Sequence, residues 1–85
     1  MNAKTAAALA EIKRCVAEGY RLISPPLFSH CYGMGATSAA FRIAKRQGLI
    51  EVNYIGGINS PVYQPHGTHA AIAAAISESA TAIKH

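Results

Sequence analysis

Three cations and no acid lie between Ser24 and Ile50 of this 85-residue chain, whose formal net charge is +4. Their spacing places two arginines on one side of a helix, with a lysine at the flank. Arginine bridges the two acceptors of a guanine edge, serine bonds several base edges, and alanine contacts a thymine methyl group. The segment therefore predicts a helix that contacts double-stranded DNA in the major groove. Its candidate contact residues are Thr37, Ser38, Ala39, Arg42, Lys45 and Arg46.

The other side of the same helix predicts how it packs. Residues recur there at three- and four-residue spacing, which is typical of a face turned toward a core. We expect the helix to begin at Ala36 or Thr37 and to end at Gln47, because Gly48 accepts the left-handed conformation found after helix ends. A basic face that is merely solvated is the alternative interpretation. The predicted core positions are Thr37, Ala40, Phe41 and Ala44.

Composition limits the class of protein. A chain of this length forms one domain, and much of its 51% hydrophobic content is alanine, which buries little surface per residue. We therefore expect a thin core that gains stability from association. The N-terminus lacks the apolar segment of a signal peptide, and no run approaches the ~20 apolar residues of a membrane span. These features predict a cytoplasmic, nucleoid-associated protein without membrane contact, in which Cys15 and Cys31 are reduced, buried thiols.

Patterns along the chain predict four helices and a hairpin. The first helix ends at Gly19, and a short strand or extended link over residues 20–23 follows it. Ser24, as a cap, and the two prolines after it are typical of a helix start. Gly56-Gly57-Ile58-Asn59 supplies the positive-φ residues of a hairpin turn. The predicted helices cover residues 2–18, 27–32, 37–47 and 69–83, and the predicted strands cover 49–55 and 60–64.

The order of these elements resembles the winged helix-turn-helix family of DNA-binding domains over about residues 6–64. Three motifs carry the resemblance. They are Met34-Gly35-Ala36 as the turn between two helices, Gly48-Leu49-Ile50 as the link from a recognition helix to the first wing strand, and Val62-Tyr63-Gln64 as the second wing strand. The resemblance implies an α+β fold with a three-helix core, a two-stranded wing and an additional C-terminal helix. It implies a DNA-binding domain over residues 1–66 and a dimerisation helix over 67–85.

The resemblance also implies how the wing and the second helix are used. The wing residues would be Gly56, Gly57 and Asn59, although wings of this family often carry arginine or lysine at the tip and this one does not. Backbone amides near Leu27 and Phe28, at the start of the second helix, would face a phosphate. No pocket for a small effector is evident from the sequence.

A homodimer is the expected assembly. The last helix carries a stripe of isoleucines among alanines, which is typical of an association surface. We expect a dimer that binds an inverted repeat and regulates transcription, as a repressor or an activator. Small basic regulators of this build are frequent on phages and plasmids, which suggests that type by analogy. The expected dimer interface comprises Leu9, Ile12, Val16, Ile72, Ile76 and Ile83.

Other chemistry has weaker support in the sequence. His66 and His69 are three residues apart and His30 adjoins Cys31, but no third ligand completes a metal-binding pattern. The four acids are far apart, and no phosphate-binding glycine loop is present. We therefore expect no enzymatic activity, no metal and no cofactor. Two other functions remain open: a DNA-architectural or recombination accessory factor similar to an excisionase, and a winged helix that contacts only proteins.

Overall fold

A computed structural model describes residues 1–83 of the chain, and its side chains as far as Ser79. Within this range four helices and a two-stranded antiparallel sheet form an α+β protein. The helices are α1 (Ala3–Ala17), α2 (Pro25–Tyr32), α3 (Met34–Arg46) and α4 (Thr68–Ile83), and the strands are β1 (Ile50–Asn53) and β2 (Val62–Pro65). Every predicted helix and both hairpin strands are present, several with different ends.

Local signals explain where the first helices begin and end. The side chain of Asn2 accepts a hydrogen bond from the backbone N–H of Thr5 (2.8 Å), which caps α1. The Ser24 side chain makes no such bond, contrary to the prediction, and α2 begins instead with prolines in its first turn. Gly33, at φ +87°, ends α2 and precedes α3 directly. Because this one left-handed glycine makes the whole turn, α3 begins at Met34, earlier than predicted.

Helices α1, α2 and α3 enclose one apolar core. The ring of Phe41 on α3 is 6% exposed and meets the rings of Phe28 and Tyr63 edge to face, at centroid distances of 5.2 and 5.0 Å. Such aromatic pairs add ~0.5–1.5 kcal/mol beyond area burial. The four predicted core positions of α3 are all buried, which confirms the orientation of this helix. The core comprises Ala8, Leu9, Ile12, Cys15, Ile23, Phe28, Ala40, Phe41, Ala44 and Ile50.

The apolar face of α1 lies inside the domain and not at a surface. Leu9 and Ile12 belong to the core, and Val16 is half-buried against it. This corrects the expectation that these three residues join a dimer interface. The physical reason is the small size of Ala40 and Ala44 on the inner side of α3, which lets α1 approach that helix closely. One domain is therefore able to cover the α1 stripe by itself.

The two strands form a shorter hairpin than predicted. In the antiparallel ladder Val52 lies opposite Tyr63, and the ladder ends before residues 54–61. Those residues form a loop with two consecutive turns in place of a tight turn at 56–59. Pro61 has no N–H to extend the ladder, and Gly57 at φ +117° permits the change of direction.

The segment between α1 and α2 is an extended link without a ladder. The backbone N–H of Ile23 donates to the carbonyl oxygen of Tyr63 (2.9 Å), which attaches the link to β2. The Ile23 side chain is buried in the core. Of the two expectations for residues 20–23, the extended link is therefore the correct one.

Helix α4 extends away from this body. Every side chain from His69 to Ser79 is exposed, and the molecule measures 56 × 27 × 20 Å along its principal axes. The start of α4 is fixed by Glu51 on β1, whose carboxylate accepts hydrogen bonds from the backbone N–H groups of Gly67 and His69. The hairpin is thus the support from which α4 projects.

Candidate nucleic-acid interface

The basic side of α3 faces solvent. Because Phe41 fixes the opposite side of the helix in the core, the outward residues are held in a defined orientation. Their side chains are free of any covering element in the described part of the chain. The exposed residues are Ser38, Arg42, Lys45 and Arg46, and Ala39 is half-buried beside them.

Thr37 differs from the other candidate contact residues. It is 3% exposed, so its side chain is not on the open helix surface with the other candidate residues. Its hydroxyl oxygen Oγ1 is buried and has no hydrogen-bond partner among residues 1–79. Buried hydroxyls are nearly always paired, and an unpaired one costs ~1–3 kcal/mol. The position of this hydroxyl therefore calls for an explanation.

The acids of the helical body lie on α1 and at its C-cap, and not on α3. Glu11 and Glu18 both bond the guanidinium group of Arg14. The hydrogen bond between Glu11 and Arg14 lowers the pKa of Glu11 and is the largest cause of the raised pKa of Arg14. Among the side chains that the structure describes, none of the three α3 cations forms an ion pair. Their charge is therefore available to an anionic partner.

Glu51 ties β1 to the start of α4. Its carboxylate accepts hydrogen bonds from the Asn53 side chain (2.9 Å) and from the backbone N–H groups of Gly67 (2.8 Å) and His69 (2.9 Å). The Asn53 bond, then the two backbone bonds and the nearby His66 imidazole, lower the pKa of Glu51 to about 2. No local pattern in the sequence predicts this contact, because Glu51 and Gly67 are 16 residues apart.

A pocket of about 310 Å³ opens beside the basic face. One wall is α3, a second is the first residue of α2, and a third is β2. The sequence indicated no pocket because these walls come from three separate segments. Its polar lining consists of Thr37, Ser38, Arg42 and Lys45.

The hairpin loop presents glycines and apolar side chains. The predicted wing residues Gly56, Gly57 and Asn59 are all exposed. Ile55 and Ile58 are also exposed, at 66% and 84%. None of residues 54–61 is charged, so this loop would contact a phosphate through backbone N–H groups.

Comparisons with protein-family models, with curated proteins and with solved structures give no match.

Exposed isoleucines mark α4. Ile72 and Ile76 are 41% and 65% exposed and line a groove with Arg21 at the base of the helix. The side chain of Ile83, the third member of the predicted stripe, lies outside the described residues. The stripe is thus uncovered at the two positions that can be assessed.

Several other predicted groups have a different environment. The N–H of Phe28 donates to the carbonyl oxygen of Ser24 (3.3 Å), so it is not available to a phosphate. Cys15 is buried, and burial raises the pKa of its thiol, but Cys31 is exposed, which corrects the expectation of two buried thiols. Among residues 1–79, no group of three histidine, cysteine or acidic side chains lies close enough together to hold a metal ion.

Each helix in the described part of the chain is too short or too polar to span a membrane.

Proposed function

We propose that this chain binds double-stranded DNA sequence-specifically, as a homodimeric transcriptional regulator of the winged helix-turn-helix type. One observation carries the proposal: the exposed face of α3 holds three cations without ion-pair partners in the described chain, on a helix whose other side is fixed in the core. A helix of this kind fits the major groove, which is ~12 Å wide. Arg42 and Arg46 are the candidate base contacts.

The rest of the body supports this arrangement. A single glycine joins α2 to α3 and keeps the two helices adjacent. This link is shorter than the 3–4-residue turn usual in a helix-turn-helix, because Met34-Gly35-Ala36, the predicted turn, is the start of α3. The hairpin follows α3 directly, because Gly48 at φ +73° turns the chain into β1. With α3 in the groove, the loop over residues 54–61 would lie beside the DNA backbone as a wing.

Dimerisation through α4 completes the proposal. Most of the stability of a helix in a protein comes from packing its apolar face, and the 16-residue α4 leaves Ile72 and Ile76 uncovered. Pairing two copies of this face would bury isoleucine against alanine, whose small side chain permits close approach. A two-fold dimer would place each α3 on a half-site, with half-sites ~34–36 Å apart.

Selection of bound fragments from random duplex DNA tests the proposal. We expect enrichment of an inverted repeat, and sedimentation of the chain as a dimer of the 8.9 kDa protomer. Arg46→Ala should weaken binding to the selected site by ~1–3 kcal/mol and relax its specificity. Lys13→Ala, which removes an exposed cation from α1, is the matched control and should change neither. Lack of affinity for any duplex at about 50 mM salt would overturn the proposal and leave a domain that contacts only proteins.

A DNA-bending accessory factor is the second candidate, and the hairpin loop favours it. Proteins that kink DNA insert exposed apolar side chains between base steps. Ile58 in the hairpin loop is exposed in the same way. Gel shifts with circularly permuted fragments separate the two functions. If the chain is an accessory factor, we expect it to bend DNA by ~20–90° and Ile58→Ser to remove the bend. If it is a regulator that contacts the duplex through α3, we expect DNA complexes of the wild type and of Ile58→Ser to have the same gel mobility.

A further inference from the structure

The pocket beside α3 brings hydrogen-bond donors together without an acid. None of the residues that line it is acidic, and the two cations on its polar side are Arg42 and Lys45. Hydroxyl groups, guanidinium and ammonium all donate hydrogen bonds, and the two cations bind phosphate through charge-assisted bonds. This donor set selects an oxyanion and rejects a cation.

The Thr37 hydroxyl is an independent observation at the same place. It is buried, it has no partner in the described part of the chain, and Thr37 lines the pocket. Removing that hydroxyl from water without a partner is unfavourable. An acceptor oxygen bound in the pocket would pair with it, so the unsatisfied donor indicates where a ligand oxygen belongs.

The size and the apolar wall indicate which oxyanion fits. A volume of about 310 Å³ is about ten times the share of one water molecule in the liquid, so the pocket holds more than a bare phosphate ion. Pro25, Phe41 and Tyr63 form the rest of the lining and offer apolar surface to a sugar ring. A carboxylate and a phosphodiester each offer two charged oxygens to these donors, but a phosphodiester also carries a sugar on either side, which the apolar wall would contact.

We propose that this pocket binds a phosphodiester phosphate through the hydroxyls of Thr37 and Ser38 and the charges of Arg42 and Lys45. The inference rests on the proposed function where duplex DNA supplies the phosphate; a free phosphate ester is the other source of the same chemistry. It divides the cations of α3 between two tasks. Of the two arginines named above as candidate base contacts, Arg42 would instead hold the DNA backbone, and Arg46, which does not line the pocket, would remain for base contact.

Two titrations of the full chain test the pocket. In the first, inorganic phosphate and the dinucleotide dTpT are added while amide chemical shifts are followed by NMR. In the second, a scrambled duplex and the selected duplex are titrated by fluorescence anisotropy over a series of salt concentrations. Each is repeated with Thr37→Val, Thr37→Ser and Arg42→Ala. The control is Thr5→Val, at a buried threonine that does not line the pocket.

Each variant has a distinct expected effect. Thr37→Val removes a neutral donor without a partner in the free protein, so the melting temperature should not fall, while affinity for dTpT and for both duplexes falls about tenfold or more. Thr37→Ser should restore most of the affinity. Arg42→Ala should lower the slope of log affinity against log salt by about 0.9 and weaken both duplexes equally. Thr5→Val should leave all affinities unchanged.

The outcomes separate this inference from the proposed function. Binding of inorganic phosphate and dTpT at Thr37, with no duplex binding, would keep the phosphate site, identify a free phosphate ester as its source and overturn the DNA proposal. Duplex binding that survives Thr37→Val, with an unchanged salt slope in Arg42→Ala, would overturn the pocket and keep the DNA proposal. Binding of neither probe nor duplex would overturn both.

Discussion

Helices α1 and α3 bury one face each in the same core and carry three cations each, yet the surroundings of those cations differ. On α1, Arg14 is bonded to Glu11 and Glu18 and lies 5.8 Å from the centre of the Tyr20 ring. On α3 no acid is present, and no ion pair forms within the described residues. The cations are Lys4, Lys13 and Arg14 on α1, and Arg42, Lys45 and Arg46 on α3.

The placement of the acids, more than the modest net charge, therefore creates the candidate interface. Exposed ion pairs add little stability. The main effect of the pairs of Arg14 is therefore to offset positive charge on the α1 side of the molecule. Glu51 follows α3 closely in the chain, but its carboxylate is engaged at the start of α4. On α3, therefore, no neighbouring acid of the described chain offsets the three cations, and they lie beside the pocket that Thr37 lines.

The buried side of α3 is where a substitution should change stability the most. Phe41→Ala should lower the free energy of unfolding by ~3–5 kcal/mol, because Phe41 contacts the rings of both Phe28 and Tyr63. A loss of that size is a large part of the ~5–15 kcal/mol that stabilises a typical domain. Urea denaturation of the variant and the wild type measures it.

An exposed aromatic residue provides the control for this substitution. Tyr54 in the hairpin loop is 56% exposed, and Tyr54→Ala should change the free energy of unfolding by no more than ~0.5 kcal/mol. Equal effects of the two substitutions would mean that α3 is not anchored in the core, and the contrast with a merely solvated basic helix would disappear.

The inner face of α3 is also the part that the sequence predicted best. The spacing of Ala40, Phe41 and Ala44 identified the core side correctly, because a helical period depends only on neighbouring residues. The same spacing rule identified the apolar stripe of α1, but we predicted that this stripe lies at a dimer interface. The sequence alone does not show that the small alanines of α3 let α1 pack against that helix.

Contacts between distant segments were not predictable. The bond from Ile23 to Tyr63, the attachment of Glu51 to α4 and the pocket at Thr37 each join parts of the chain that no local pattern connects. A hairpin turn was predicted at Gly56 and Gly57, but the length of the loop was not. The ladder ends at Asn53 and Val62, and Pro61 has no N–H to extend it. The candidate site was thus predictable as a helix face and not as a pocket.

A smaller effect concerns the acid held at α4. The folded-state pKa of Glu51 is lowered to about 2 from an ordinary value of 4.5, so its contribution to stability is fully present above pH 4.5 and is lost as the pH falls toward 2. The amide shifts of Gly67 and His69 should titrate with a midpoint near 2. NMR titration of the folded protein measures this midpoint.

Glu51→Gln supplies the comparison for that titration. Glutamine keeps an acceptor oxygen but cannot titrate, so the low-pH transition at both amides should be absent, and the stability difference from wild type should shrink as the pH falls from about 5 to 2. A wild-type midpoint near 4.5, the ordinary value of a glutamate, would show that Glu51 is not held and is free to offset the α3 cations.

Removing the acids that pair with Arg14 should change DNA affinity only slightly. Glu11→Gln with Glu18→Gln removes both partners of Arg14 and makes the charge of α1 resemble that of α3. If only total charge governs DNA binding, affinity for a scrambled duplex should rise at every salt concentration. We expect a slight rise at about 10 mM salt that disappears at about 0.15 M, where the Debye length is ~8 Å, with the preference for the selected site unchanged. Anisotropy titrations with both duplexes measure this, and Glu78→Gln, an exposed acid on α4, is the single-charge control. A rise that persists at the higher salt would mean that α1 can replace α3 as the anion-binding helix.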